Sequence, residues 1–353
     1  DTGLPDFVMS LYDVVGAYDH DTARTWLFSS GLAAPGPERA TRARMRLDKF
    51  RARLERATPH VVPRAPERVR RAARSTFSAD GYRRAVEDVR EAIRRGDIFQ
   101  ANLSQRWRLE LPDATDHMLV LDEALRSHSP SPFAATLALG DHTVLSASPE
   151  LFLRRRGGRI ETRPIKGTRP RGADTASDVA LAAELQASAK DRAENVMIVD
   201  VLRNDLGRVC ETGSVRVPEL CALERFPQVW HLTSTVTGRL RAGLGAFELL
   251  HACFPGGSIT GAPKIRAMAL LESIEPVRRH LYTGAIGWIG WDGDADWSIA
   301  IRTAVATRDG ITWNAGGGIT ADSDPDEEYR ESLAKATGMK AALTSVLGDI
   351  RLD

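Results

Sequence analysis

Apolar residues recur at helical spacing through "FSADGYRRAVEDVREAIRRGDIFQ" and stop at Gly96, which predicts a helix followed by a strand in "IFQANLSQRWRLEL". The pattern then predicts a helix near 117–128 and short strands around 133–139, 143–147, 150–155 and 159–165. Gly157-Gly158 suits a tight hairpin between the last two. A long helical region is expected over 175–206, ending at Gly207, and another helix over 263–273. Strands are expected near 282–290, 296–307 and 311–315, with a final helix opening at Asp324-Pro325. Strands and helices come in clusters instead of strict alternation, which argues for an α+β fold with packed antiparallel sheets.

Composition adds little specificity and removes several classes. A chain of 353 residues with 42% hydrophobic content can fill a sizeable core, and 48 basic against 47 acidic side chains leave a formal charge of +1. Global charge therefore gives no reason to expect nucleic acid or membrane as a partner. Residues 39–74 are the exception, with thirteen Lys/Arg against three Asp/Glu. We expect a solvated helix there, followed by a proline-broken linker, with the main domain starting near residue 77. Apolar stretches such as "FAATLALG" fall well short of the ~18 residues of a membrane span. A cytoplasmic location is the expectation. The three cysteines, Cys210, Cys221 and Cys253, form no CxxC pair and fit neither a disulfide scaffold nor a zinc site, so they read as small buried apolar residues.

Candidate chemistry begins with "RPIKGTRPRG". Lys166 follows Pro164, which cannot donate to a β-ladder, and Arg159, Arg163, Arg169 and Arg171 lie close by in sequence. Another charge for solubility is superfluous there, and neighbouring cations disfavour an ammonium, so Lys166 is a candidate reactive amine. If Gly157-Gly158 is a two-residue turn, Glu150 faces Ile165 and Lys166 points to the other side of the sheet. Lys166 must then lie beyond the regular ladder to act beside Glu150.

Two acidic pairs have helical spacing. Asp191 and Glu194 in "SAKDRAENVMIVDVLRNDLG" are i, i+3, as are Glu328 and Glu331 in "DPDEEYRESLAKATGMKAAL", where Lys335 extends the stripe. Spacing alone fits a surface helix with a Glu331–Lys335 pair, and it also fits two acidic turns facing each other across a hard cation, for which magnesium is suited. Two glycine-rich turns, "FPGGSITGAPKIRAM" and "WNAGGGITADSD", offer backbone N–H groups to an anion. Neither meets the Walker A pattern.

Taken together, "GDIFQANLSQRW", "SASPELFLRRR", "RPIKGTRPRG", "KDRAENVMIVDVLRNDLG", "VWHLTSTVTG", "FPGGSITGAPKIRAM", "SIAIRTA" and "NAGGGITADSDPDEEYRESLAKA" resemble the chorismate-utilising enzymes over roughly residues 77–347. The resemblance implies a fold of two packed antiparallel β-sheets flanked by helices in α/β/β/α layers. Residues 77–353 would be the chorismate-binding catalytic domain, and residues 1–76 the remnant of an N-terminal region plus the basic helix and linker. It also implies magnesium held by Glu194 and Glu331, with Asp191 and Glu328 behind them. Glu150 corresponds to the general acid for the leaving hydroxyl, and His231 lies by the reacting ring. Arg302, Lys335, Thr168 and the backbone of Gly317 and Gly318 correspond to carboxylate-binding positions, with Tyr282 and Gly284 lining the same pocket.

Two positions separate the branches of this family. Members that activate water have a lysine where this chain has Gln100, and an amide cannot act as the base, so ammonia is the implied nucleophile. Lys166 stands where anthranilate synthases typically have alanine, which makes the chain resemble the branch that aminates chorismate at C4 through an attacking lysine. Anthranilate synthesis and amination at C2 with retention of the pyruvyl group remain the alternatives. No segment resembles a glutaminase, so a glutamine amidotransferase subunit or fused domain is the implied partner.

Overall fold

The computed structural model describes residues 3–32, 34–58 and 70–353; the proline-broken linker expected after the basic helix falls at 59–69, outside them. The chain divides into two compact units, Pro5–Pro63 and Asp1–Leu4 with Arg64–Asp353. In the smaller unit, Val14–Asp19 and Arg24–Ser29 pair as an antiparallel hairpin that the hydrophobic pattern does not mark. The basic segment forms the helix Glu38–Glu55, with no buried residue, which accounts for its charge.

The larger unit contains two large sheets. The eight-stranded one runs Ile350–Leu352, Arg71–Ser75, Gln100–Glu110, Gly310–Ile319, Thr303–Thr307, His142–Ser148, Phe133–Leu139, with the two-residue strand Gly261–Ala262 against Gln100–Glu110. Its first strand pair is parallel and the others are antiparallel. Arg71–Ser75 belongs to this sheet although it precedes residue 77. Its sequence RAARS has no large apolar residue, and Ala73 alone is buried, so alternation could not reveal it.

The seven-stranded sheet runs Arg216–Arg225, Val229–Arg239, Arg159–Arg163, Leu151–Arg156, Ala295–Ile299, Ala285–Ile289, and Ile165–Pro170 also pairs with Val229–Arg239. Helices Ala79–Arg94, Met118–His128 and Pro325–Leu347 bury their apolar faces in clusters with the first sheet, and Ala189–Gly207 and Ala246–Cys253 do so with the second. The layers are thus helix, sheet, sheet, helix. No helix among the described residues is long and apolar enough to cross a membrane.

The glycine run 316–318, expected as a turn, is instead the end of the strand Gly310–Ile319, paired residue for residue with Gln100–Glu110. The stacked Trp107 and Trp313 fix that register from the buried face. Close strand approach explains the glycine, because a Cβ at Gly316 would lie 2.0 Å from the Leu103 carbonyl oxygen. Gly316→Ala is therefore expected to cost about 3 kcal/mol or more, read as a lower midpoint in urea unfolding.

Two segments cross between the sheets side by side. One is the Pro149-Glu150 step between His142–Ser148 and Leu151–Arg156; the other is Ala300 to Arg302, between Ala295–Ile299 and Thr303–Thr307. The Ser148 hydroxyl donates to the Ile299 carbonyl, Ile299 N–H donates to the Glu150 carbonyl at 3.2 Å, and Ala147 N–H donates to the Arg302 carbonyl at 3.0 Å. The crossings are stitched into one seam. Glu150 and Arg302 sit on it.

Candidate active site

Pro164 ends the strand Arg159–Arg163, and the chain restarts as Ile165–Pro170 further along the same partner strand, Val229–Arg239. There Thr168 pairs with His231 and Ile165 with Thr233, so that Lys166 and Gly167 stand opposite the single residue Leu232. This is a β-bulge, and Gly167 takes the positive φ of +82° that it requires. Lys166 lies outside both regular ladders, as the register argument demands. Gly167 also brings the strand against the helix Ala189–Gly207: a Cβ there would be 3.0 Å from Asp191 Cβ.

Lys166 points into the interior, its side chain 11% exposed, with Nζ 4.0 Å from Glu194 Oε2. Burial depresses its pKa, assisted by the charge of Lys335 and opposed by Glu194, Glu150 and Glu331. The arginines invoked from the sequence have other partners. Arg163 is bound to Glu224, Arg169 to Glu184 and Asp191, and Arg171 to Asp178, while Arg159 is exposed near Glu161. Alternation along the strands sends them away from the amine, so desolvation is the main cause and Lys335 the assisting cation.

Glu150 is buried, and burial pushes its carboxyl up to about 7 against the hydrogen bond from Ser258, the charge of Lys166, the Ile165 N–H and the charge of Arg302. Such a group is still partly protonated near neutral pH and can give its proton up, which is what a general acid needs. His231 is held down to about 4, by burial first and then by Arg302, so its imidazole is neutral. Its Nδ1 lies 2.9 Å from the Thr168 hydroxyl. Arg302 has a positive φ of 49°, and burial is the main cause lowering its pKa, with Glu150 opposing.

Across from Lys166 the acidic pairs meet. Ser188 caps the helix carrying Asp191 and Glu194, ending Thr175–Ala187 and splitting the helical region expected as one. Asp324 caps the helix carrying Glu328 and Glu331, with Pro325 in its first turn as expected. Lys190 of the first helix reaches Glu328 of the second at 3.6 Å, and Lys335 lies 2.6 Å from Glu331. The sequence reading missed Lys190, although it stands at i, i+4 from Glu194.

Among the described residues, no three His, Cys, Asp or Glu side chains converge closely enough to hold a metal ion as they stand. The fit to a cation rests on other features. Glu328 Oε1 accepts from Ser323, whereas the buried Oε2 has no hydrogen-bond partner. A Cβ at Gly317 would lie 3.1 Å from that orphan and 3.3 Å from Glu331 Oε1, so the glycine leaves open space beside both carboxylates. Burial raises the Glu194 and Glu328 carboxyls, and like charges add to it. An all-oxygen, electron-rich set of this kind suits magnesium.

Gln100 completes this side. It is fully buried; its amide nitrogen lies 3.5 Å from Glu194 Oε2, and its Oε1 has no partner. Gly318 gives it room, since a Cβ there would fall 2.1 Å from Gln100 Nε2. Two expected features are used elsewhere. Tyr282 and Gly284 line a cavity of about 220 Å³ with Phe254, Met268, Leu271 and Glu275, and neither Lys166 nor the pairs Asp191–Glu194 and Glu328–Glu331 are in its wall. Lys264, which lies in the glycine-rich segment "FPGGSITGAPKIRAM", makes a part-buried ion pair with Asp205 at 2.6 Å.

Residues 1–341 match the sequence model of the chorismate binding enzymes. This chain belongs to that family. Among chorismate binding enzymes it is 42% identical over 345 residues to aminodeoxychorismate synthase component 1 of Bacillus subtilis, covering 97% of this chain and 72% of that protein. It is also 42% identical over 344 residues to anthranilate synthase component 1 of Thermus thermophilus, with 97% and 72% covered. The crystal structure of anthranilate synthase component I from Streptococcus pneumoniae superposes with a TM-score of 0.81 at 33% identity, covering 93% of this chain and 72% of that one. Overall identity does not separate the two activities, so the assignment within the family depends on individual side chains.

Proposed function

We propose that this chorismate binding enzyme is an aminodeoxychorismate synthase component 1, converting chorismate and ammonia to 4-amino-4-deoxychorismate. The observation that carries the reading is the bulge that places the buried, pKa-depressed amine of Lys166 within electrostatic reach of the protonatable Glu150. Lys166 in its neutral form adds to C2 of chorismate, and the 4-hydroxyl leaves as water with the proton of Glu150. Ammonia then adds at C4, the bond to Lys166 breaks, and the lysine departs as an amine. Two displacements bring the nitrogen to C4 with the pyruvyl group retained.

Arg302 and Thr168 are suited to hold carboxylates of the substrate, and the neutral His231 packs beside the ring. The partnerless Gln100 Oε1 is an acceptor for incoming ammonia and cannot serve as a base to activate water. Glu194 and Glu331, backed by Asp191 and Glu328, would hold magnesium, which when bound supplies positive charge for the substrate carboxylate. All three cysteines are buried, and burial pushes Cys210 to about 11 and Cys253 to about 12, so neither is a thiolate at neutral pH. The ammonia source in this reading is a glutamine amidotransferase subunit or fused domain, in keeping with the "component 1" in the relatives' names.

The test is mass spectrometry of the products formed from chorismate, magnesium and an ammonium salt. An aminated product that keeps its pyruvyl group and elutes as the 4-amino isomer is expected. Anthranilate with pyruvate would assign the chain to the other branch.

A further inference from the structure

The loop between helices Ala246–Cys253 and Lys264–Ile274 brings a buried serine to the catalytic acid, with Ser258 Oγ donating to Glu150 Oε1. This contact is held in place by a chain of side chains from other elements. Asn102 Nδ2 donates to the Ser258 carbonyl at 3.1 Å. Arg279 donates to the Ile259 carbonyl at 3.0 Å through Nη1 and to the Asn102 carbonyl through Nη2. The guanidinium is itself fixed by a two-pronged pair with Glu275, at 2.8 and 2.6 Å, and Glu275 Oε1 also accepts from Ser104 N–H and Oγ, each at 2.9 Å. Packing closes the remaining freedom, since a Cβ at Gly257 would lie 2.6 Å from Val201.

A buried carboxyl is neutral unless its charged form is specifically solvated. The groups that face Glu150 are Lys166 from the bulged strand, Arg302 from the neighbouring crossing, the Ile165 N–H and the Ser258 hydroxyl. The two cations change with substrate, because one becomes the nucleophile and the other is suited to a carboxylate of the ligand. The hydroxyl does not. We propose that Ser258 is a positioning residue for Glu150: fastened by the Asn102–Arg279–Glu275 network, its hydroxyl stabilises the carboxylate left after proton delivery and sets the pH at which the acid loses its proton. The inference rests on Glu150 as the acid of the proposed reaction.

The experiment is an infrared titration of the buried carboxyl in the full chain without substrate, with Glu150→Gln identifying its band. In Ser258→Ala the protonated band is expected to persist about one pH unit higher than in the wild type, and Ser258→Thr, which keeps the hydroxyl, should restore the original midpoint. Asn102→Leu leaves the serine in place and is expected to move the midpoint in the same direction by a smaller amount. Coincident midpoints for wild type and Ser258→Ala, or an equal shift in Ser258→Thr, would overturn the proposal. An upward shift in Ser258→Ala with none in Asn102→Leu would overturn the role of the network. Because no substrate is present, the titration stands or fails independently of which product the enzyme makes.

Discussion

Replacing Lys166 by alanine is expected to lower the rate of 4-amino-4-deoxychorismate formation by at least about 10³-fold, as loss of a covalent nucleophile does when its partners remain. The effect should fall on kcat, because Arg302, Thr168 and the acidic helices that would hold substrate and metal are untouched. Lys166→Arg is the sharper control. Arginine keeps the positive charge beside Glu194 and Glu150, and its guanidinium is never neutral at working pH, so charge is preserved while nucleophilicity is lost. Product analysis by mass spectrometry should find both variants without the 4-amino product. Amination at C4 that survives in either would remove the lysine from the mechanism.

Glu150→Gln is the second large effect, with kcat expected to fall by about 10² to 10⁴. The amide preserves shape and still accepts from Ser258, so the loss isolates the proton. Its pH dependence follows from the direction of the shift. Burial raises the carboxyl to about 7, so the acid is protonated and competent below that pH and loses its proton as pH rises through it. With free ammonia held constant, wild-type kcat/KM for chorismate should fall above about pH 7, and that of the variant should lack that limb. A wild-type profile flat from pH 6 to 9 would place the proton donor elsewhere.

Much of this site was legible because the chain repeats a few strong local signals. Asp324-Pro325 announced the last helix, and i, i+3 spacing put Glu328 and Glu331 on one turn of it. Pro164 foretold the break that frees Lys166 from the ladder, since a residue without an N–H cannot extend the pairing. What escaped was decided by distant chain. The strands Arg216–Arg225 and Val229–Arg239 are half polar, and their place in the sheet depends on partners far away in sequence. The arginines around Lys166 looked like its electrostatic environment, but strand alternation, invisible until the bulge was located, turns them toward Glu224, Glu184 and Asp178. Ser258 gave no sign of its role because its contact with Glu150 spans 108 positions.

The paired crossings have a kinetic consequence. Glu150 and Arg302 are neither in one sheet nor in the other; they occupy the two steps between them, and the bonds that stitch those steps join residues about 150 apart. Long loops must close before such contacts form, and contacts of high sequence separation are the slow ones. A refolding chain in which each sheet has assembled on its own helices would have nearly all of its secondary structure and no acid facing its arginine. Catalytic competence is then the last property to be gained during folding and the first to be lost when the sheets loosen.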